Sequence, residues 1–358
     1  MNSRAAMCVC GFFAVLTHHA LAQDQPSKGE GSVRDQFRGV RNCATCHPAQ
    51  AGTHPSTSMA HAMETIAECD ILRKHPVLTA QLGPYSYRIE RRGDRSMYTV
   101  TDGVQTFSMA LGWAFGLGSA GQTYVFEKDG VMYESRVSYY RVPDSLDMTM
   151  GAQKLHPTNI LEAAGRYMGP REAALCFGCH STNGASNGQV TLETMIPGVQ
   201  CERCHGPTEN HLKGLKTGDS AMFAMKKLSS LNTEEISNFC GQCHRTWQEI
   251  AMNGPHGTAN VRFQPYRLTN SKCYDADDKR ISCLACHDPH REVDYNDLDY
   301  DAKCQACHGG GKPEAKACKV ATKACVSCHM IKIELPGGHH KFTDHDIRIA
   351  SVNGAYPD

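Results

Sequence analysis

Alternating polar and apolar residues predict a group of β-strands in the first half of the chain. Two turn pairs, Asp102-Gly103 and Asp129-Gly130, separate or end these alternating runs. An Asp-Gly pair beside such runs is typical of a β-hairpin. The runs are residues 85–90, 97–101, 122–127 and 131–137. The pattern therefore predicts a small antiparallel β insert over residues 82–142.

A glycine-rich segment, residues 112–121, lies between the second and third of these strands. Glycines in this density could cradle a phosphate group. The segment lacks the Lys-Ser/Thr pair and the following helix that phosphate-binding loops need. We therefore interpret it as a structural loop beside the strands.

Outside the insert, the apolar spacing predicts helices rather than strands. Residues 57–74 and 158–176 carry apolar side chains at helical intervals, and Thr233-Glu234-Glu235 is typical of a helix start. Much of the remaining chain has no such periodicity and is rich in Gly, Lys and His. We expect short helices joined by long loops there.

The motif Cys-x-x-Cys-His occurs seven times. Two cysteines three positions apart lie on one side of a helical turn and can both reach the edge of a porphyrin. The histidine that follows is then placed under the iron, so each copy is a c-type haem attachment sequence. The cysteines are Cys43, Cys46, Cys176, Cys179, Cys201, Cys204, Cys240, Cys243, Cys283, Cys286, Cys304, Cys307, Cys325 and Cys328.

Other uses of Cys-x-x-Cys fit less well. A zinc half-site, a redox dithiol or a disulfide framework does not require a histidine after every second cysteine. We therefore expect seven covalently bound haem c groups. The axial iron ligands supplied by the motifs are His47, His180, His205, His244, His287, His308 and His329.

The attachment sites are unevenly spread. The first lies at residues 43–47, and the other six crowd into residues 176–329. A chain so short between cofactors cannot build an ordinary apolar core, so the porphyrins must form it. The predicted fold class is therefore mainly α with long loops, a haem-packed multihaem cytochrome c fold with a small antiparallel β insert. The expected units are residues 23–81 with the first haem, the insert 82–142 and a hexahaem region 143–358.

The N-terminus has the features of a secretory signal peptide. Arg4 precedes a short apolar run, and Ala20-Leu21-Ala22 forms a small-x-small cleavage site. We expect residues 1–22 to be removed and the protein to be exported to the periplasm or the extracellular space. No other long apolar run occurs, so we expect no membrane span in the mature chain.

Three cysteines remain when the motifs and the signal peptide are set aside: Cys69, Cys273 and Cys318. An odd number in an exported protein allows one disulfide and one free thiol. Because Cys273 and Cys318 both lie in the haem-dense half, we expect them to be the pair.

The charge balance becomes acidic once the haems are counted. The chain has 37 basic and 37 acidic side chains, and loss of Arg4 leaves a net charge of −1. Two propionates per haem take the oxidised protein to about −8 and the reduced protein to about −15. Nucleic acid is therefore not an expected partner, whereas a redox protein with a basic docking face is.

A second axial ligand decides whether an iron only carries electrons or can also bind a substrate. Ten histidines remain outside the motifs and the signal peptide, enough for bis-histidine ligation of every iron. Turn-forming neighbours or a place beside the haem-poor segment single out six candidates: His61, His156, His211, His256, His290 and His345. His54, His75, His339 and His340 are weaker candidates.

The segment 197–207, with His211, resembles multihaem cytochromes related to the tetrahaem cytochrome of ammonia oxidisers. That superfamily includes hydroxylamine oxidoreductase and pentahaem nitrite reductase. Cys283 to His290 is similar to a haem-binding turn of the same proteins, and residues 325–349 resemble exported bacterial multihaem proteins. The resemblance implies that His211 and His290 are distal ligands to haems attached elsewhere in the chain.

The differences from these enzymes favour electron transfer. Pentahaem nitrite reductases replace one motif histidine with lysine, and hydroxylamine oxidoreductase has eight sites and a cross-linked tyrosine, whereas all seven motifs here keep histidine. We expect a heptahaem electron carrier with mostly bis-histidine haems. The alternatives are an oxidoreductase acting on a small nitrogen or sulfur compound at one five-coordinate haem, and a subunit that self-associates into a conducting filament.

Overall fold

The structure is a computed structural model that describes residues 43–225, 227–309, 317–349 and 356–357. The predicted signal peptide, residues 1–22, lies outside these ranges. The described part of the predicted N-terminal segment begins at Cys43, the first residue of the first motif.

A large antiparallel sheet dominates the first half of the described chain. Its strands are β1 Met63–Thr65, β2 Val77–Leu82, β3 Tyr85–Arg92, β4 Arg95–Thr101, β5 Thr106–Phe115, β6 Gln122–Lys128, β7 Val131–Tyr140, β8 Ser145–Met148 and β9 Gly165–Tyr167. The main path of the sheet follows chain order from β2 to β8, while β1 pairs with β5 and β9 pairs with β7. β2 and β8, at the two ends of this path, also approach each other, so the sheet curls around its interior.

The predicted fold class, mainly α with a small β insert, is wrong. The sheet recruits strands from residue 63 to residue 167, well beyond the predicted insert. The predicted hairpins are present, since Asp102-Gly103 lies between β4 and β5 and Asp129-Gly130 lies between β6 and β7. The flanking strands were not predicted because several are only three or four residues long and are defined by pairing with β5 and β7.

Short helices and two-stranded ribbons make up the rest of the described chain. The helices are α1 Pro48–Thr53, α2 Asp70–Lys74, α3 Ile160–Ala164, α4 Pro170–His180, α5 Cys201–His205, α6 Glu209–Thr217, α7 Ser220–Phe223, α8 Thr233–His244, α9 Trp247–Asn253, α10 Gln264–Thr269, α11 Cys283–Cys286, α12 Asp301–His308 and α13 Cys325–His329. The ribbons pair β10 Ser181–Thr182 with β13 Ile196–Pro197, β11 Ala185–Ser186 with β12 Gln189–Val190, and β14 Lys332–Glu334 with β15 Lys341–Thr343.

Two predicted helices are interrupted. Residues 57–74 contain β1 and only the short helix α2, while residues 158–176 contain α3, β9 and the first half of α4. The predicted helix start at Thr233 is confirmed, because Asn232 and Glu235 form a reciprocal capping box at the N-terminus of α8.

The glycine-rich segment divides into two parts. Its first residues, Gly112 to Phe115, belong to β5 rather than to a loop. A turn then follows in which Gly116 has a φ of 87° and stands so close to Gly121 that a Cβ would lie 2.5 Å from that carbonyl oxygen. Glycine is therefore required at this turn for its conformation and for space.

The apolar core is concentrated in the sheet. One cluster fills its interior, where the buried Tyr87 and Tyr98 donate hydroxyl hydrogen bonds to the carbonyls of Ala163 and Ala164 in α3. A second cluster joins the sheet to α4 through Phe115 and Phe177. After residue 199 the buried apolar side chains of the described residues are few and scattered. This distribution agrees with the expectation that haem groups fill the interior of the second half of the chain.

Within the described ranges, no helix is long and apolar enough to cross a membrane. Cys273 and Cys318 are separate, exposed thiols, so the expected disulfide is not formed in this structure. Cys69 is fully buried and donates to Oε1 of Gln122 at 3.2 Å.

Candidate haem-binding centre

The Cys-x-x-Cys-His motifs lie on helical turns, as haem attachment requires. Three of them end the longer helices α4, α8 and α12, and another three form α5, α11 with the next residue, and α13. In the first motif the backbone amide of His47 donates to the carbonyl of Cys43 at 2.8 Å, which closes one helical turn. Each motif therefore presents both cysteines and the histidine from one compact turn.

The thiols of different motifs contact one another. Cys43 and Cys201 lie within hydrogen-bonding reach, which raises the pKa of Cys43 and lowers the pKa of Cys201 to about 7. The other contacting pairs are Cys179 with Cys243, Cys240 with Cys283, and Cys304 with Cys325. Once converted to thioethers these sulfurs would not titrate, so the contacts matter here as measures of proximity.

Weaker electrostatic contacts connect the remaining neighbours. The pKa of Cys240 is raised mainly by Cys283 and by burial, and Cys204 adds to this effect. The pKa of Cys286 is raised mainly by burial, and Cys304 adds to this effect. Numbered along the chain, the motifs therefore form a continuous series, 1–3–4–5–6–7. Motif 2 joins this series at motif 4 through Cys179 and Cys243.

Three motif histidines face a second histidine from a distant part of the chain. The ring centres are 6.4 Å apart for His47 and His211, and 6.1 Å apart for His205 and His290. The third pair, His287 and His345, has its ring centres 6.3 Å apart. The second member of each pair was among the distal-ligand candidates found in the sequence.

These distances fit an iron held between two imidazoles. A metal–imidazole nitrogen bond is about 2.0 Å long and the ring centre lies about 1.2 Å further away, so two rings on opposite faces of one metal have centres about 6.4 Å apart. Direct ring stacking would bring the centres closer. The residues present therefore fit bis-histidine haem groups at these three sites.

Hydrogen bonds to Nδ1 orient several imidazoles. Nδ1 of His180 lies 2.9 Å from the carbonyl oxygen of Ala62, and Nδ1 of His329 lies 3.1 Å from that of Arg348. An imidazole that donates from Nδ1 keeps Nε2 unprotonated and available to a metal. This arrangement is the one expected of an axial ligand.

His244 has surroundings that also suit a ligand. Protein groups crowd around the ring closely enough to lower its pKa through desolvation, yet more than a third of the residue's surface is accessible. A cavity of about 530 Å³ lies beside Cys179 and is bounded by Glu202, Arg203 and Gln242, between motifs 2, 3 and 4.

The other three distal-ligand candidates have different surroundings. Both ring nitrogens of His61 are hydrogen bonded, Nδ1 to Glu64 at 3.0 Å and Nε2 to the carbonyl of Pro55 at 2.8 Å. His156 and His256 are exposed.

His54 is a further candidate that the sequence ranked low. It is 6% exposed and its Nδ1 has no hydrogen-bond partner. Burial lowers its pKa, and the nearby His290 adds to this effect. A buried imidazole with an unsatisfied nitrogen calls for an explanation, and a cofactor supplies one. The sequence alone gives little indication that His54 is a candidate ligand, because the burial of His54 depends on how the N-terminal segment packs against the loop around His290.

Motif 2 is the haem site that contacts the sheet. Phe177, inside the motif, makes edge-to-face contacts with Trp113 and Phe115, with ring centres 5.2 Å apart in each case. Phe115 also lies 5.4 Å from the ring centre of His180. Among the described residues the ring that contacts His180 is thus phenylalanine rather than a second histidine.

Known proteins show similarity to parts of the chain. Residues 147–206, which contain motifs 2 and 3, match the family described as cytochrome c554 and c-prime. The multiheme cytochrome MtrA of Shewanella baltica (strain OS185) is 26% identical over 207 residues, which cover 53% of this chain and 53% of that protein. The chain therefore aligns with about half the length of this relative.

A solved structure, that of the outer cell wall cytochrome OcwA, superposes with a TM-score of 0.49 and 13% identity. The superposition covers 87% of this chain and 80% of that one. It is too distant to carry an argument about this protein. The repeated attachment motifs, the three imidazole pairs and the sequence similarities agree with one another, and they make the chain similar to multihaem c-type cytochromes.

Proposed function

We propose that this chain is a heptahaem electron carrier that acts outside the cytoplasm and relays single electrons between redox partners. The observation that carries the proposal is the set of three imidazole pairs at 6.1 to 6.4 Å. An iron with two protein ligands has no open position for a substrate, so such sites suit electron transfer rather than catalysis.

The chain's own residues would hold and tune the cofactors. The motif cysteines would attach the porphyrin and each motif histidine would bind an iron. His211, His290 and His345 would bind the same irons as His47, His205 and His287. When bound, each haem supplies one iron that accepts and releases a single electron. Hydrogen bonds to Nδ1, such as that between His180 and the carbonyl of Ala62, orient the ligands and adjust their basicity.

The contacts between motifs support a connected path. The motif cysteines interact in the order 1–3–4–5–6–7, through thiol contacts or weaker electrostatic interactions, so the haems that these motifs would hold are neighbours along this order. Motif 2 would form a side branch next to the sheet. Such a branched arrangement has three ends, at motifs 1, 2 and 7, where electrons could enter or leave.

The first experiment counts cofactors and follows electrons. Intact mass spectrometry of the exported protein should show seven haem additions and loss of residues 1–22. After rapid mixing with a small reductant, all haems of one chain should become reduced in a single phase. The rate of this phase should exceed the rate at which electrons pass between separate protein molecules. Fewer than seven additions, or haems that reduce independently, would contradict the proposal.

A second candidate function is catalysis at motif 2. The favouring observation is that His180 contacts Phe115, which cannot bind iron, and that the surrounding sheet could shape a pocket. An oxidoreductase acting on a small nitrogen or sulfur compound would leave this iron five-coordinate. Optical titration of the reduced protein with carbon monoxide distinguishes the two functions, because one bound equivalent supports the enzyme and none supports the carrier.

The location and partners follow from the chemistry of the cofactor. In bacteria, haem c attachment is completed outside the cytoplasm, which agrees with the signal-like N-terminus. The negative charge that seven haems would add favours a partner with a basic docking face. Sedimentation at rising protein concentration tests whether the chain instead assembles with itself into filaments.

A further inference from the structure

The loop that carries His345 is tied to helix α10 by a buried ion-pair network. Arg267, on α10, has no solvent exposure. Its Nε donates to Asp344 at 2.9 Å, and its Nη2 donates to Asp344 at 3.1 Å and to Asp346 at 3.2 Å. Both carboxylates are buried as well. One side chain therefore holds the residues on either side of His345.

All three nitrogens of the Arg267 guanidinium donate hydrogen bonds, and its plane also contacts an aromatic ring. Nη1 donates to the carbonyl of Pro357 at 2.8 Å, and the group lies 4.5 Å from the ring centre of Tyr356. A second cation, Arg348, contacts Asp344 and lies 3.5 Å from Asp346. Two cations thus face two carboxylates, and the network is neutral.

The backbone and ring of His345 are restrained by the same helix and loop. The Ser271 hydroxyl, just after α10, donates to the carbonyl of His345 at 2.9 Å and accepts from the amide of Ile347 at 2.8 Å. Nδ1 of His345 lies 3.0 Å from the carbonyl oxygen of Thr343. These contacts leave Nε2 as the nitrogen that can face His287.

Stability alone does not explain a fully buried arginine between two carboxylates. Removing such groups from water costs several kcal/mol per ion, and apolar replacements are often as stable or more so. The best-attested use of a buried polar network is to select one arrangement among several of similar energy. Here the selected arrangement is the position of one imidazole.

We propose that Arg267 is a positioning residue for His345, which it holds by clamping Asp344 and Asp346 so that the imidazole stays opposite His287. This inference rests on the proposed function, in which His345 is the distal ligand of the iron at motif 5. Arg267 itself would not touch the cofactor. Its effect reaches the iron only through His345.

The test compares ferric spin states in the haem-loaded, full-length protein. Arg267→Leu should add a high-spin electron paramagnetic resonance signal equivalent to one haem, because leucine releases the loop and cannot bind iron itself. His345→Ala should add the same signal, and the double variant should add no more than either single variant. Added imidazole should return the Arg267→Leu spectrum to low spin by replacing the displaced ligand.

Two further variants separate positioning from folding. Arg91→Leu removes another largely buried arginine, whose partners are the carbonyls of Ile66 and Ala67 in the turn after β1, and should leave the haem spectrum unchanged. Arg267→Lys keeps the positive charge but loses the fork that binds two carboxylates, so it should give a partial high-spin signal.

Each outcome decides the inference. If Arg267→Leu retains its haems and the wild-type spectrum while His345→Ala gains the signal, the positioning role is overturned and the proposed function stands. If His345→Ala leaves the spectrum unchanged, His345 is not a ligand and the proposed function fails at this site. If Arg267→Leu does not accumulate, Arg267→Lys decides: a partial high-spin signal supports the role, and an unchanged spectrum overturns it.

Discussion

At the scale of single residues, the group that faces Nδ1 distinguishes the candidate ligands from one another. Nδ1 of His290 lies 3.2 Å from the carboxylate of Asp288, whereas His180, His329 and His345 face backbone carbonyls. A carboxylate makes an imidazole a stronger electron donor than a carbonyl does. The haem between His205 and His290 should therefore have its ferric state stabilised more than its neighbours.

Replacing Asp288 tests this difference. In Asp288→Asn the negative charge next to His290 is lost, so the ferric state is stabilised less and the reduction potential of one haem rises. We expect the reduction potential to shift by on the order of 30 mV, about half of the ~59 mV that corresponds to a tenfold change in the equilibrium constant of a one-electron couple. The shift is limited because the carboxylate is half exposed and partly screened by solvent. Potentiometric titration followed optically measures it. Asp102→Asn, in a hairpin loop of the sheet, is the control and should shift nothing.

The distal assignments can be checked one histidine at a time. His211→Ala and His290→Ala should each convert one haem from low spin to high spin, because each removes one of two axial ligands. His61→Ala should not, since both nitrogens of His61 are engaged by Glu64 and Pro55. Magnetic circular dichroism quantifies the change. An unchanged spectrum in His211→Ala or His290→Ala would remove that residue from the ligand set.

The sequence predicts those functional residues whose partners are close to them along the chain. A Cys-x-x-Cys-His turn carries its whole function within five residues, so attachment sites can be read directly. A distal ligand comes from elsewhere in the chain, and only the folded arrangement brings His345 opposite His287. His54 shows the limit most clearly, because its burial arises from contacts between segments more than two hundred residues apart.

At the scale of elements, the sheet was underestimated because short strands depend on their neighbours. Residues 57–74 have apolar side chains at helical spacing, yet Met63 pairs with Phe115 and draws the segment into the sheet. Pairing and packing outweigh local propensity in such cases. The longer hairpins, in contrast, were predictable because alternation and an Asp-Gly turn agree within one segment.

A glycine joins motif 3 to the N-terminal segment. Gly198 has a φ of 72°, and a Cβ there would lie 1.8 Å from the carbonyl oxygen of Ala60. Next to it, the amide of Val199 donates to the carbonyl of Met59 at 2.9 Å. The approach of these two segments therefore depends on the absence of a side chain.

Gly198→Ala should consequently destabilise the protein through both backbone strain and a clash. We expect the free energy of unfolding to fall by on the order of 3 kcal/mol, measured by denaturant titration. Gly218→Ala is a matched control, since Gly218 has a φ of 73° with open space around it, and should cost about 1 kcal/mol. Equal losses in the two variants would show that the contact with Ala60 is unimportant.

Helices α12 and α13 are joined by a carboxylate. The largely buried Asp301 accepts from the backbone amides of Ala324 and Cys325, at 2.7 and 2.9 Å, at the N-terminus of α13. These amides lower the pKa of Asp301. The folded state is therefore stabilised while the carboxylate is ionised, and this contribution is lost as pH falls through the lowered pKa.

Asp301→Asn should lower the melting temperature at neutral pH by roughly 2–4 °C. The difference from the wild type should shrink as pH falls below about 4, the ordinary value for aspartate, because protonation then removes the same interaction. Calorimetry between neutral and acid pH measures both. A difference that stays constant across this range would show that the carboxylate charge is not what joins the two helices.

At the scale of the whole molecule, two interiors are built by different means. The sheet encloses aromatic and aliphatic side chains, whereas the second half has few buried apolar residues among those described. Motif 2 connects them, since Phe177 packs into the sheet while Cys179 contacts Cys243 of the haem-dense half. The uneven spacing of the motifs predicts a haem-dense second half, but it does not predict the size of the sheet.

The central claim is that this cytochrome carries its electrons through irons with two protein ligands. Quantitative electron paramagnetic resonance of the fully oxidised, haem-loaded protein tests it most directly. We predict that low-spin ferric signals dominate and that the high-spin intensity corresponds to at most one iron per chain, which would then be the iron at motif 2. High-spin intensity equivalent to two or more irons would contradict the account, because motifs other than motif 2 would then lack a second protein ligand. Intensity equivalent to five or more of the seven irons would also contradict the three imidazole pairs themselves.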